Sequence, residues 1–247
     1  MTSDIFLSII IPAYNEETRI ARSLEKIYLY LERQSYPHEL IVVDDGSTDL
    51  TVQVVEDILK RIEHGTLLQN GANRGKGYSV RQGVLHSHGE YVLFSDADLS
   101  TPIEEVEKLF WHLDQGYDIA IGSRGLQESD IQIHQSWYRE NMGKTFNLII
   151  RLILLPDFYD TQCGFKCFRG DVARKLFVLQ KIDHFSFDVE VLYLAKRYGF
   201  KIKEIPVTWS HEPSVWLNTT MQAIQGSSKM FLGLLRIRYN AWIGKYK

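Results

Sequence analysis

Short apolar segments alternate with helical hydrophobic patterns in the first half of the chain, and this alternation is what most constrains the fold. Apolar runs at Leu7–Ile11, Leu40–Val43 and Tyr91–Phe94 predict buried strands. Two further strands are predicted at Thr66–Leu68 and Tyr117–Ile121. Between the runs, apolar residues recur every three or four positions, which is the spacing of a helix with one buried face. The pattern favours an α/β fold in which helices flank a mostly parallel sheet.

The second half of the chain has a less regular pattern. Helical spacing predicts a long helix over Trp137–Leu155 and another over Phe187–Tyr198, while Asp157–Lys166 is predicted to be a loop. An alternating, strand-like segment follows, and a basic, aromatic-rich helix is predicted at the C-terminus. In the first half, a helix is predicted to open at Pro102, because proline suits the first helical position. We predict one domain over residues 1–247 that divides near residue 125 into two functional halves.

Composition limits the class of protein. The chain has 247 residues, of which 45% are hydrophobic, so it can bury a sizeable core. Its net charge of -3 means that the protein has no overall positive potential to attract nucleic acid, and no nucleic-acid partner is expected. Its two cysteines, Cys163 and Cys167, lack the second pair of a zinc site and are interpreted as packing residues.

Membrane and targeting signals are weak. The apolar N-terminal run lacks a basic region and a cleavage site, so no signal peptide is expected. The apolar stretch Phe146–Pro156 contains Arg151 and is far shorter than the roughly 20 residues of a spanning helix. We interpret it as a core helix. The protein is expected to be cytoplasmic and peripheral on the cytoplasmic face of a membrane, with the membrane surface as a partner.

Three polar clusters lie directly after predicted strands: Pro12–Glu16, Asp44–Asp49 and Asp96–Asp98. Parallel strands end at the same edge of a sheet, and ligands of open α/β sheets bind beyond that edge. The clusters are therefore expected to converge on one crevice.

Asp96 and Asp98 are candidate metal ligands. They lie two residues apart after an apolar strand, and positions i and i+2 of a strand point to one face. Mg²⁺ prefers oxygen ligands and typically takes one or two carboxylates together with substrate phosphates. The pair with Ala97 between them therefore predicts a site for a divalent cation and a phosphorylated ligand.

Two further segments are candidates for nucleotide contacts. Helix capping accounts for Ser47 to Asp49 but not for the adjacent acids Asp44 and Asp45, which a nucleobase or ribose would satisfy. The loop Gly71–Gly77, which carries Asn73 and Lys76, is one residue short of a P-loop and does not follow the first strand. A P-loop ATPase is excluded, but the loop can still meet the phosphates or base of a nucleotide.

The ordered set of motifs resembles glycosyltransferase family 2. It comprises Ile9–Glu16, Val42–Asp49, Asn73–Gly77, Asp96–Asp98 and Gly122–Arg124. The two later segments Asp160–Lys166 and Phe187–Tyr193 are similar to those of polyprenyl-phosphate hexose synthases, most of all dolichyl-phosphate β-glucosyltransferases.

The resemblance implies a GT-A fold, an inverting reaction, Mg²⁺ or Mn²⁺ at the two aspartates, and UDP-glucose or GDP-mannose as donor. Residues 1–125 would form the nucleotide-sugar half and residues 126–247 the acceptor half. With the acids and loop above, the candidate donor site is Pro12, Ala13, Tyr14, Glu16, Asp44, Asp45, Asn73, Lys76, Asp96, Ala97 and Asp98. The candidate acceptor-phosphate residues are Arg124, Arg139, Gln162 and Lys166. The candidate catalytic residues are Asp96, Asp98, Arg124 and Asp188.

The predicted reaction is transfer of a hexose, first of all glucose, onto a polyprenyl or dolichyl phosphate. A phosphate monoester is largely dianionic at pH 7 and needs cations for positioning, whereas a hydroxyl acceptor needs a general base. Asp188 is the candidate base, or simply a helix N-terminal acid. The alternatives are a family 2 transferase to a saccharide or protein hydroxyl, a GDP-mannose-dependent polyprenyl-phosphate mannosyltransferase, and a nucleotide-sugar-binding protein without turnover.

The C-terminal helix leaves two interpretations open. Its apolar residues alternate with Lys229, Arg236 and Arg238, so it can lie on an anionic membrane or pack on the body or a second subunit. The oligomeric state stays open. The preceding segment Ser210–Trp216 carries no Lys or Arg, where the glucosyltransferases that the chain resembles show a basic loop.

Overall fold

The computed structural model describes residues 5–133, 137–210 and 220–247, and for residues 137–140, 144 and 220–229 it describes the backbone alone. The acceptor-side segment Ser210–Trp216 therefore lies, after its first residue, outside the described residues. So does the side chain of Arg139.

The described part of the chain contains nine strands and eight α-helices. The strands are β1 Leu7–Ala13, β2 His38–Asp44, β3 Gly65–Gln69, β4 Tyr91–Ser95, β5 Ile119–Ser123, β6 Asp130–Ile133, β7 Phe165–Arg169, β8 Ile202–Pro206 and β9 Thr208–Ser210. The helices are α1 Ile20–Leu31, α2 Thr51–Leu59, α3 Lys76–His86, α4 Val106–Asp114, α5 Trp137–Ile153, α6 Gly170–Leu179, α7 Phe187–Arg197 and α8 Thr220–Trp242.

Seven strands form the central sheet in the order β3-β2-β1-β4-β7-β5-β8, and β6 pairs with β9 in a separate two-stranded sheet. All pairs in the central sheet are parallel except those of β7, which is antiparallel to both β4 and β5. The predicted mostly parallel sheet is confirmed.

Two apolar layers cover the sheet, and alternate residues of one strand enter opposite layers. In β1, Ile9 and Ile11 pack in the layer that contains Ile20 of α1. Ile10 enters the other layer, with Val80 of α3. Because both faces are covered, the central strands read as continuous apolar runs in the sequence.

Three predictions about elements need correction. Residues 165–166, assigned to a loop, begin strand β7, and α6 was not predicted at all. Pro102 has extended backbone and precedes a 3-10 turn at Ile103–Glu105, so the α-helix begins only at Val106. The end of α5 is not a core helix on every side, since Leu152 is 78% exposed while Ile150 is fully buried.

Both cysteines are buried and unpaired, as expected for packing residues. Within the described ranges, none of the helices combines the length and the apolar character that crossing a bilayer requires.

Candidate functional site

The polar clusters after β1, β2 and β4 meet at one edge of the sheet, as predicted. The Asp45 N–H donates to the carbonyl of Ala13 at 2.8 Å, which continues the β1–β2 pairing beyond the strands. The Asn15 N–H donates to Ser47 Oγ at 2.9 Å, and Asn15 Oδ1 accepts from the Thr48 N–H at 2.8 Å. Asn15 has a φ of 52°, a left-handed conformation that asparagine tolerates better than most residues. These bonds lock the first two clusters together.

Asp45 attaches the loop 71–77 to the sheet edge. Its buried carboxylate accepts from Asn70 Nδ2 at 2.9 Å, from the Arg74 N–H at 2.9 Å and from the Gly75 N–H at 2.8 Å. Gly75 has a φ of 103°, which only glycine adopts without strain. Asp45 therefore fixes the backbone from which Lys76 projects.

Asp44 is also satisfied within the protein. Its carboxylate accepts from the backbone N–H groups of Gly46 at 3.1 Å and Ser47 at 3.2 Å, so it closes the turn after β2. The sequence predicts that a bound nucleoside stabilises the acid pair Asp44 and Asp45, but backbone and side-chain donors of the protein already do so. Contact of either acid with a nucleoside stays a prediction.

We expect Asp45→Ala to lower the free energy of unfolding by about 2–4 kcal/mol, because it leaves three donors without their charged acceptor. It should also raise the KM for the donor more than it lowers kcat, since the loop loses its anchor. Thermal unfolding and initial rates measure the two effects. Asp57→Ala is the control, because the Asp57 side chain is 74% exposed in a surface ion pair with Lys60. Equal stability of both variants would contradict this role of Asp45.

The acid pair after β4 has a cation on each side. Lys76 Nζ donates to Asp96 Oδ1, and Arg19 Nη1 lies 3.8 Å from Asp98 Oδ2. Arg19 is itself held by Glu16, whose carboxylate accepts from Nε at 2.8 Å and from Nη2 at 2.6 Å. The Pro12–Glu16 cluster, through Arg19, and the loop 71–77, through Lys76, therefore meet at Asp96 and Asp98. The second cluster is joined to that loop by Asp45.

The backbone after the pair is unusual. Asp98 Oδ1 accepts from the Ser100 N–H at 3.0 Å, and the Leu99 N–H donates to the Asp96 carbonyl at 3.0 Å. Leu99 has a φ of 49°, which costs a leucine about 1–3 kcal/mol. Such a conformation persists only where the surroundings enforce it. The turn that contains Leu99 also holds the Asp98 carboxylate, through its hydrogen bond from the Ser100 N–H.

The electrostatics of the pair suit a divalent cation. Burial, and then the neighbouring Asp96, raise the pKa of Asp98. Burial also raises the pKa of Glu16, with Asp98 and Asp96 adding to the shift and Arg19 opposing it. Burial alone would lower the pKa of Lys76, but Asp96 and Asp188 raise it.

In the described ranges no third His, Cys, Asp or Glu completes a metal cluster, and two carboxylates suffice for Mg²⁺ with substrate phosphates. The residues therefore fit the predicted ion.

Gly164 gives Asp96 the space that it occupies. A Cβ built on Gly164 would lie 2.1 Å from Asp96 Oδ2 and 2.3 Å from Cγ and Oδ1, so any side chain there displaces the carboxylate. Gly164 belongs to the Asp160–Lys166 segment, which was assigned to the acceptor side and is here in contact with the acid pair.

We expect Gly164→Ala to lower kcat/KM about 100-fold, the usual effect of displacing a catalytic group by about 1 Å. The matched control is Gly143→Ala. Gly143 lies within α5, and among the described residues no atom outside the local helix backbone lies within 4 Å of an added Cβ, so alanine there should raise stability by up to about 1 kcal/mol. A Gly164→Ala enzyme with wild-type kinetics would show that the position of Asp96 is unimportant.

Arg124 is held by a buried partner that the sequence did not reveal. Its Nε and Nη2 donate to the two carboxylate oxygens of Asp160 at 2.6 and 3.0 Å, and its backbone N–H donates to the same group at 3.1 Å. The guanidinium carbon lies 5.5 Å from the centre of the Trp209 ring. Burial alone would raise the pKa of Asp160, but Arg124 lowers it to about 2. The guanidinium therefore has a fixed orientation after β5.

Lys166 and Asp188 form an enclosed pair. Lys166 Nζ donates to Asp188 Oδ1 at 2.7 Å and to the Cys163 carbonyl, and the Lys166 side chain is 1% exposed. Burial raises the pKa of Asp188, while Lys166 and Lys76 oppose the shift. Lys166 is thus satisfied by the protein itself, and its predicted contact with an acceptor phosphate stays a prediction.

The remaining candidate residues lie on four different segments of the chain. Ala97 is buried between the two aspartates, and the Gln162 N–H donates to Asp160 Oδ1 at 3.0 Å. Asn73 is exposed on the loop. Pro12 and Ala13 are the last two residues of β1, and Tyr14 directly follows the strand.

The sequence argument missed Arg19, Asn70, Asp160 and Gly164. Arg19 had a usable signal, because the i, i+3 spacing from Glu16 is that of a helical ion pair. Asp160 and Gly164 lie in a motif that was recognised, but their partners are distant in sequence.

A mostly parallel sheet with an acid pair and flanking cations at its carboxyl edge is the arrangement expected of a GT-A glycosyltransferase. Residues 8–177 match the family described as Glycosyl transferase family 2, and the chain belongs to this family. The predicted family and enzyme class are thereby confirmed.

The chain is similar to dolichyl-phosphate β-glucosyltransferases from several organisms. It is 35% identical to one from Trichomonas vaginalis, over 96% of this chain and 76% of that protein. It is 36% identical to one from Drosophila melanogaster, over 96% and 76%. With one from Saccharomyces cerevisiae the identity is 36%, over 99% and 77%.

Solved structures with similar folds include glucosyl-3-phosphoglycerate synthase from Mycobacterium tuberculosis. Its complex with UDP has a TM-score of 0.70 and 17% identity, covering 94% of this chain and 80% of that one. Its complex with Mn²⁺, UDP and glucosyl-3-phosphoglycerate has a TM-score of 0.67 and 16% identity, over the same shares of the two chains. At this identity the likeness concerns the fold, and it confirms the predicted GT-A fold.

Proposed function

We propose that this chain is an inverting glucosyltransferase that moves glucose from UDP-glucose onto dolichyl or another polyprenyl phosphate. The observation that carries the substrate assignment is the 32–36% identity to dolichyl-phosphate β-glucosyltransferases over 96% or more of the chain. The geometry of the acid pair and its cations supports the reaction class.

The donor binds, in this proposal, at the carboxyl edge formed by residues 1–125. Asp45 and the loop that it anchors would contact the nucleoside, and Asp96 and Asp98 would hold Mg²⁺ or Mn²⁺ and the diphosphate. The ion, when bound, supplies positive charge to the diphosphate that leaves. Structural neighbours with UDP and Mn²⁺ or Mg²⁺ at the same fold support this choice over GDP-mannose.

The cations of the chain act on charge that develops during transfer. As the bond from the anomeric carbon to the diphosphate breaks, negative charge grows on the leaving group. Lys76, Arg19 and Arg124 are held in fixed positions by carboxylates before the substrate binds, so they reorganise little as that charge appears. Such preorganisation stabilises the transition state more than the ground state.

The acceptor, in this proposal, is a phosphate monoester held by the half formed by residues 126–247. Its oxygen is already ionised at neutral pH and attacks without a base. Asp188 is 5% exposed and bound to Lys166, so it is poorly placed to take a proton from an open crevice. This favours a phosphate over a hydroxyl acceptor, and a lipid acceptor fits a peripheral protein on the cytoplasmic face of a membrane.

The proposal is tested with four combinations of substrates in one buffer with Mg²⁺ or Mn²⁺. UDP-glucose and GDP-mannose are each offered with dolichyl phosphate in detergent or with soluble saccharides, and release of UDP or GDP is measured. We expect release from UDP-glucose with dolichyl phosphate alone. Asp188→Asn loses stability because Lys166 loses its charged partner, but the amide oxygen can still accept from Lys166, so the fraction of this variant that thermal unfolding shows to be folded should retain transfer. Release with saccharides, abolished by Asp188→Asn, would replace the lipid acceptor by a hydroxyl. Donor binding without release in any combination would support a binding protein.

A further inference from the structure

The C-terminal half of α8 exposes a row of large apolar side chains. Trp242 is 84% exposed and Leu232 is 62% exposed, although leucine and tryptophan are usually covered. We call this row the outer face. It consists of Phe231, Leu232, Leu235, Tyr239 and Trp242.

The opposite side of the same helix is packed on the body of the protein. Leu234 and Ile237 are fully buried, and Asn240 is 2% exposed. The sequence left two interpretations of this helix, and the structure assigns its apolar residues to two different faces. Packing on the body therefore accounts for only one of them.

Arginines border the outer face on both sides. At about 100° of rotation per residue, the five apolar residues fall within an arc of about 100°, with Arg238 just outside one edge and Arg236 just outside the other. Both arginines are exposed, as are Lys245 and Lys247 beyond the helix end. An apolar stripe between two rows of cations is the pattern of a helix that lies in the interface of a bilayer.

A neighbouring helix also exposes apolar side chains. Leu148 and Leu152 of α5 lie one turn apart and are both exposed, and α5 packs against α8. Exposed apolar side chains are therefore found on both helices of this pair.

We infer that the outer face of α8 docks on a lipid bilayer that contains anionic lipids, with the helix in the plane of the headgroups. The bordering arginines match anionic headgroups, and Trp242 and Tyr239 are the residue types enriched at that depth. The inference deepens the proposed function, on which it rests, because it identifies the surface through which a lipid acceptor is reached.

The inner side of α8 connects this surface to the candidate site. Ser186 Oγ donates to the Met230 carbonyl at 3.2 Å, and a Cβ on Gly233 would lie 2.3 Å from the same Oγ. Ser186 lies two residues before Asp188, at the start of α7. A bilayer on the outer face would therefore lie one helix thickness from the turn that carries Asp188.

Flotation with vesicles tests the inference. The whole protein is mixed either with vesicles of phosphatidylcholine alone or with vesicles that also contain about 30 mol% phosphatidylglycerol, an anionic lipid. We expect binding to the anionic vesicles, weakened about tenfold or more by Trp242→Glu. Arg236→Gln and Arg238→Gln should each weaken it about fivefold. Trp111→Glu is the matched control, since Trp111 is also exposed but lies on α4.

Two results would overturn the inference. One is wild-type protein that stays in solution with anionic vesicles, and the other is equal binding of the Trp242→Glu and Trp111→Glu variants. Circular dichroism checks that each variant is folded. A second assay separates this inference from the proposed function, namely transfer to a short-chain prenyl phosphate that is soluble in water. Trp242→Glu should retain that transfer and lose transfer to acceptor in vesicles, whereas failure of the wild type with both acceptors would reject the proposed function alone.

Discussion

Asp98→Ala is expected to lower kcat for sugar transfer about 1000-fold, the range seen when a preorganised charge-stabilising group is removed. Asp98 is one of the two carboxylates that fit the predicted divalent cation, and Arg19 Nη1 lies 3.8 Å from its Oδ2. The fold should not suffer. Burial and Asp96 raise the pKa of Asp98, which means that the ionised carboxylate is disfavoured in the folded protein. Its removal should leave the free energy of unfolding unchanged or higher.

The measurement is steady-state transfer at several concentrations of Mg²⁺ and Mn²⁺, together with a thermal unfolding curve. Asp57→Ala again serves as the control, because it removes an exposed aspartate in a surface ion pair. Loss of activity with retained stability would identify a functional acid. Wild-type transfer by Asp98→Ala would reject the acid pair as the centre of the site.

Lys166→Met should be the most destabilising of the variants considered. It leaves the Asp188 carboxylate buried without its partner, and breaking one side of a buried ion pair costs about 3–5 kcal/mol. For a chain of this size the melting temperature should fall by roughly 6–20 °C. The Cys163 carbonyl also loses a donor, so part of the cost comes from the turn before β7.

A double-mutant cycle separates the pair from other effects. Lys166→Met combined with Asp188→Leu removes both charges, and the double variant should be more stable than Lys166→Met alone. Strictly additive losses would show that the two side chains do not act on each other. Unchanged stability of Lys166→Met would contradict the enclosed arrangement of the pair.

The sheet edge could be predicted from sequence because its signals are local. Each parallel strand is a continuous apolar run, since both faces are covered, and each run ends in a polar cluster. Chain direction then brings Asn15, Asp45 and Asp96 to one edge without any knowledge of packing.

Strand β7 was missed because its position depends on distant partners. It enters between β4 and β5 in the opposite direction, so its first residues lie at the edge where the parallel strands end. Lys166 pairs in register with Phe94 and Ile121, and a lysine in the middle of a sheet breaks the apolar pattern by which strands are recognised.

The partners of the charged residues were also beyond the sequence. Arg124 and Asp160 are separated by 36 positions, and Lys166 and Asp188 by 22. Residue type predicted that these groups are charged, but only the fold determines which pairs are buried together. This is why the pairing of Lys166 with Asp188 was not predicted, while contact of Lys166 with an acceptor phosphate stays a prediction.

The central claim is transfer of glucose to a lipid phosphate, and one reaction tests it most directly. The wild-type chain is incubated with radiolabelled UDP-glucose, a divalent cation and dolichyl phosphate, and the organic phase is counted and its product analysed by NMR. The account predicts label in the organic phase that requires the cation, is absent with Asp98→Ala, and is β-linked. Label that stays in the aqueous phase as a glucosylated saccharide, or an α-linked lipid product, would contradict it.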